Sequence, residues 1–234
     1  MILLGTLHSD PEGFSRTRAF LEFYKPDLVL VEISHFALNF RIRHTTELRK
    51  IFRERIGLVS HKMKTDFKTA LKHVEIASIL RQLGLPFEYR AAAAYTKKTG
   101  VDPVAVDSSE FSREWVETWP EMISAENIER LLHLDGARPS VSSLYAQAAR
   151  RINGGPSSYE TQPSDAERWL EREKRMVRRI ISALERFSPE RPVYIGGWWH
   201  LSGGGSIKTV REILGIEAES CLLLDRFKTD VAGR

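Results

Sequence analysis

Two histidines close short apolar strands at opposite ends of the chain, and each stands three residues after a glycine. The stretches are Met1-Ile-Leu-Leu-Gly-Thr-Leu-His8 and Pro192-Val-Tyr-Ile-Gly-Gly-Trp-Trp-His200. A third apolar run, Asp27-Leu-Val-Leu-Val-Glu-Ile33, places Glu32 near its carboxyl end. Two imidazoles and a carboxylate, His8, His200 and Glu32, form a ligand set that suits a divalent transition metal with open positions. Such an ion lowers the pKa of its water to about 7 and polarises a carbonyl, as hydrolysis of an amide or ester requires. Glu173 or Glu88 is the candidate general base, because an apolar setting raises a carboxyl pKa toward the working range. Arg172 is the candidate for holding a substrate carboxylate or an oxyanion.

Those residues need a scaffold that brings distant strand ends together. Five short apolar runs near 1–5, 28–33, 103–107, 192–196 and 220–225 alternate with longer helical patterns. This alternation predicts one α/β domain over residues 1–234, with a central, largely parallel sheet flanked by helices. Runs that are apolar throughout suit parallel strands covered on both faces. In such sheets ligands bind at the carboxyl ends of the strands, where glycines let a backbone approach closely.

Helical projection of residues 166–187 puts Trp169, Met176, Ile180, Leu184 and Phe187 on one stripe, with Glu173 in its middle. A carboxylate there has a buried cation or metal as partner, or it takes part in chemistry. Asp107 closes the strand Asp102-Pro-Val-Ala-Val-Asp107 and, with Trp198 and Trp199, is a candidate for contacting substrate. Leu85–Tyr89 reads as a further short strand bearing Glu88, and 67–83 as one long helix. Ile207–Leu214 reads as the helix after the glycine run, and 153–164 as a surface linker or mobile lid.

The 234 residues are 42% hydrophobic and 28% charged, with a formal charge of +4, which is ordinary for a globular chain. One cysteine, Cys221, excludes an internal disulfide framework and a cysteine-rich metal site. No apolar run reaches the length of a membrane span, and Met1-Ile-Leu-Leu-Gly does not read as a signal peptide, so a cytoplasmic protein is expected. Between Arg41 and Lys72 ten Lys and Arg face only Glu47, Glu54 and Asp66. This segment reads as a solvated basic face, or as a rim that attracts an anionic small molecule or peptide. It carries no recognised nucleic-acid motif.

Taken in order, Gly5-Thr-Leu-His8, Pro26-Asp-Leu-Val-Leu-Val-Glu32, Glu171-Arg-Glu-Lys-Arg-Met176 and Gly197-Trp-Trp-His200-Leu-Ser-Gly203 resemble the TraB/Tiki group. That group belongs to a wider fold which includes erythromycin esterases and ChaN-like haem-binding proteins. Glu88-Tyr-Arg-Ala-Ala-Ala-Ala-Tyr95 and Val104-Ala-Val-Asp107 are similar to its middle block. The chain departs from the pattern at Glu173, where Asp is usual, at Ser108, where Arg is common, and in the bulky Trp198–Trp199 pair. The resemblance implies a metal-dependent, peptidase-like hydrolase with the two histidines and a glutamate at its centre. Its esterase branch implies a metal-free Glu–His pair that activates water. Its ChaN-like branch implies a non-catalytic protein that binds haem or another anionic small molecule.

Overall fold

The computed structural model describes residues 1–134, 139–154 and 163–227. The elements run β1 (Ile2–Thr6), α1 (Gly13–Tyr24), β2 (Leu28–Val31), α2 (His35–Lys62), α3 (Phe67–Lys72), α4 (Val74–Gln82), α5 (Phe87–Thr99) and β3 (Pro103–Ala105). They continue with α6 (Ser109–Glu117), α7 (Trp119–Met122), α8 (Ala125–Leu132), α9 (Val141–Ile152), α10 (Pro163–Phe187), β4 (Pro192–Gly197), α11 (Val210–Leu214) and β5 (Cys221–Leu223). By internal contacts the chain divides into two compact units. One comprises Met1–Ser34, Phe87–Ser108 and Pro139–Arg234, the other His35–Pro86 and Ser109–Arg138.

The first unit holds one five-stranded sheet of order β3–β2–β4–β1–β5, parallel throughout, so the expected α/β class and parallel sheet are both present. β2 and β4 are buried at every residue, which is why both are apolar on both faces rather than alternating. The steps from β1 to β2 and β2 to β3 move toward one edge, and those from β3 to β4 and β4 to β5 move back. Right-handed crossovers therefore put α1 and α5 on one face and α10 and α11 on the other. Contacts of α1 with α5 and of α10 with α11 agree with this. β4 lies between β1 and β2, and its exit loop turns to the face opposite theirs, which opens a crevice at the carboxyl ends.

Of the projected stripe on α10, Glu173, Met176 and Ile180 are buried, joined by Val177 and Ala183, whereas Trp169 and Leu184 are half-buried and Phe187 at the end is 49% exposed. Full burial of Met176 and Ile180 stabilises the fold by about 1.5–3 kcal/mol each. Three expectations change. Leu85–Tyr89 is not a strand: α5 starts at Phe87, and Phe87, Glu88, Ala91, Ala92 and Tyr95 are buried at helical spacing. The helix expected over 67–83 is two helices, because His73 adopts an extended backbone with ψ of 132°. The helix after the glycine run starts only at Val210, where Thr209 and Glu212 form a capping box. Of the loop expected over 153–164, residues 155–162 lie outside the described residues.

The second unit is helical, with a core that includes Phe52, Ile56, Ile76, Leu83, Trp119 and Ile128. Arg43, Lys50, Arg53 and Lys62 of α2 are exposed, as a solvated basic face would have them. Among the described residues no helix is long and apolar enough to cross a membrane.

In the first unit α1 approaches α5 where it has no side chain: a Cβ on Gly13 would stand 2.4 Å from the Phe87 ring. Gly13→Ala should lower unfolding free energy by about 1–3 kcal/mol through overpacking, read as a shift in the urea midpoint. An unchanged midpoint would show that this contact does not hold α1 on α5.

Candidate functional site

The sheet delivers its chemistry at three neighbouring strand ends. After β1, Thr6 Oγ1 donates to Glu88 Oε1 at 2.8 Å and to Gly196 O at 3.1 Å. The chain then turns over Leu7–Asp10, closed by Asp10 N–H to Leu7 O at 2.8 Å, and lifts out His8 with 58% of its side chain exposed. His8 Nδ1 lies 2.7 Å from Glu88 Oε1 on α5. Its other nitrogen, Nε2, faces Glu32 Oε2 at 4.0 Å.

Glu32 extends β2 by one rung, its N–H bonding Ile195 O of β4 at 2.9 Å. Its carboxylate is almost wholly enclosed. Oε1 accepts from Arg172 Nη2 at 2.7 Å and meets His200 Nε2 at 2.9 Å, while Oε2 accepts from Gly197 N–H at 2.6 Å. On its far side His200 meets Glu173 Oε1 through Nδ1 at 2.5 Å. Glu173 Oε2 accepts the Val210 N–H at 2.6 Å. Arg172 clasps Asp107 in a two-bond fork, Nε to Oδ1 and Nη2 to Oδ2, each at 2.9 Å. Asp107 Oδ1 also accepts the Ser108 N–H, and Arg179 donates to its carbonyl.

Four carboxylates, Glu32, Glu88, Glu173 and Asp107, thus surround Arg172 and two imidazoles. Burial opposes a charge on His200, but Glu173 and Glu32 outweigh it and push the imidazole up to about 10. Desolvation likewise opposes charge on His8, and Glu88 and then Glu32 push it up to about 9. Burial would raise Glu32, yet His200, Arg172 and His8 hold it well below the usual carboxylate range. Arg172 remains charged, its desolvation overcome by Asp107 and Glu32.

No protein-family model, curated protein or solved structure matches this chain. The site's chemistry therefore rests on its own geometry.

Among the expected residues His8, Glu32, Glu88, Asp107, Arg172, Glu173 and His200 come together in one cluster. Trp198 and Trp199 follow β4 and pack on each other edge to face, with Arg151 over the Trp199 ring at 5.6 Å. Of the three expected metal ligands, both histidines turn Nε2 to the Glu32 carboxylate, His200 at 2.9 Å and His8 at 4.0 Å. Each Nδ1 is taken by a second carboxylate, Glu173 for His200 and Glu88 for His8, and His8 Nε2 and Glu32 Oε2 both border Gly197. Among the described residues no group of three His, Cys, Asp or Glu is placed to hold a metal ion.

Two contributors were not named as site residues from the sequence, although Gly197 stands in the Gly-x-x-His pattern. Gly197 matters through what it lacks: a Cβ there would stand 3.2 Å from His8 Nε2 and 3.4 Å from Glu32 Oε2. Tyr145 of α9, wholly buried, touches the His8 turn through its hydroxyl.

The ion pairs make stability depend on pH with a definite sign. His200 is raised from 6.5 in the unfolded chain to about 10, so its contribution is complete below pH 6.5 and lost as pH climbs to about 10. Glu32 is lowered, so its contribution is present above about pH 4.5 and lost as pH falls further. Urea midpoints should peak between these limits and fall toward pH 10. His200→Gln should flatten the alkaline decline; a decline unchanged in that variant would mean that the Glu173–His200–Glu32 array does not hold the fold.

Proposed function

We propose that this chain is a hydrolase of amide or ester bonds in which His8 carries the proton. The observation that supports this best is the approach of His8 Nε2 to Glu32 Oε2, 4.0 Å apart, beside Gly197, which has no side chain to fill the place between them. A water placed there donates one hydrogen to neutral His8 and the other to Glu32, which stays anionic beside Arg172 and His200. As the water oxygen adds to the substrate's carbonyl carbon, His8 Nε2 takes its proton. Glu88 on Nδ1 stabilises the imidazolium that forms. The same proton then passes from His8 to the leaving nitrogen or oxygen, which breaks the scissile bond.

Glu173, the expected proton carrier, is only 1% exposed and lies behind His200 with both oxygens engaged. Its role here is to orient His200, and Arg172 with Asp107 holds Glu32 in its charged form. The motif order shared with the TraB/Tiki group supports the same reaction class. A divalent ion is supported by the donor types of His8, Glu32 and His200 and by both Nε2 atoms facing the Glu32 carboxylate.

A base with pKa about 9 is mostly protonated at neutral pH, so kcat/KM should rise about tenfold per pH unit up to about 9 and then level. Glu88→Gln should move that limb to lower pH, because it removes the charge that raises His8. His8→Ala should lower turnover by about 10²–10⁴. Gly197→Ala removes no polar group and has an ordinary φ of −56°, so it should fold, yet its methyl would occupy the water's place and abolish turnover. These effects are measured over a broad panel of peptides and esters. Activity that vanishes on chelation and returns with zinc or manganese would give the site to a metal hydrolase. A coloured, tetrapyrrole-bearing protein inert across the panel would make it a binding protein.

A further inference from the structure

The turn that carries His8 is bridged at both ends by one buried hydroxyl. Tyr145 Oη lies 3.3 Å from the Leu7 N–H and 3.0 Å from Asp10 Oδ2. An amide nitrogen only donates and a carboxylate only accepts, so the phenol has one orientation: its proton goes to Asp10 and its lone pair faces Leu7. Burial and the neighbouring Asp10 keep the phenol protonated far beyond its ordinary range. Asp10 is itself fixed, with Oδ1 accepting the Glu12 N–H and Oδ2 accepting from Arg16, each at 2.9 Å. The imidazole between these anchors is 58% exposed, so little packing steers it. Its direction follows from Glu88 on Nδ1 and from the backbone of the turn.

We infer that Tyr145 is a positioning residue for His8, its hydroxyl bridging Leu7 and Asp10 so that Nε2 is aimed at Glu32. This rests on the reading of His8 as the proton carrier. A displacement of about 1 Å in a reacting group can cost as much as 10²-fold in rate. Tyr145→Phe removes one oxygen atom and leaves the buried ring in place.

The test uses the full chain. In Tyr145→Phe, kcat should fall about 10- to 100-fold with KM within about twofold. In a His8→Ala background the same change should have no further effect on the residual rate. A second measurement does not need turnover. With ¹⁵N-labelled histidine, the His8 imidazole signal should broaden or shift in Tyr145→Phe, while that of the enclosed His200 stays in place as internal reference. Asp10→Asn, which weakens the same bridge, should disturb the His8 signal in the same direction and decides the matter if Tyr145→Phe does not fold. A wild type without turnover on any substrate, combined with a disturbed His8 signal in the variant, would remove the hydrolase reading and support the bridge. An undisturbed His8 signal, or an equal loss of rate with and without His8, would overturn the inference.

Discussion

Everything in the crevice turns on one carboxylate. Glu32 receives a guanidinium, an imidazole and a backbone amide, and faces a second imidazole at 4.0 Å. A lone buried carboxylate is expensive, and removing one partner from such a cluster leaves the other charges exposed to that cost. Glu32 therefore constrains three neighbours at once. Residue 197 must present its N–H, α10 must deliver Arg172, and the loop after β4 must return His200. The compensation is local, so the site carries several charges in a small volume without an isolated ion.

The sheet splits the labour between its two faces. α5 brings Glu88 to His8 from one side, and α10 brings Glu173 and Arg172 to His200 and Glu32 from the other. The two pairs are alike in composition but not in access. His8 is largely exposed and is held on one nitrogen, whereas His200 is 3% exposed and held on both. That asymmetry leaves His8 Nε2 accessible and makes His200 an enclosed, fixed positive charge.

Much of this arrangement was legible in the chain. The central strands β2 and β4 announce themselves because strands covered on both faces read as apolar runs, and Glu173 was visible because a carboxylate interrupts an otherwise apolar helical stripe. Glu88 was picked out but placed on the wrong element. Leu85-Pro-Phe-Glu-Tyr89 is too short for periodicity to separate a strand from the first turn of α5. The partner of each oxygen was not legible, because tertiary placement sets it: Glu32 finds Arg172 and His200 across 140 and 168 residues. Tyr145 gave no signal at all, since a tyrosine on an amphipathic helix looks the same whether its hydroxyl meets water or a buried turn.

The order of the strands also bears on how the molecule comes to exist. Among the described residues β1 pairs only with β4 and β5, and β2 joins β1's side of the sheet only through β4. A ribosome thus releases the amino-terminal strand long before any neighbour for it has been made. Until residue 197 or so has emerged, β1 is an unpaired apolar ribbon and β2 has only β3 beside it. Parallel pairings over such separations close slowly, and open strand edges invite association in the meantime. The strand that brings the histidines together is also the strand that ends the nascent chain's exposure.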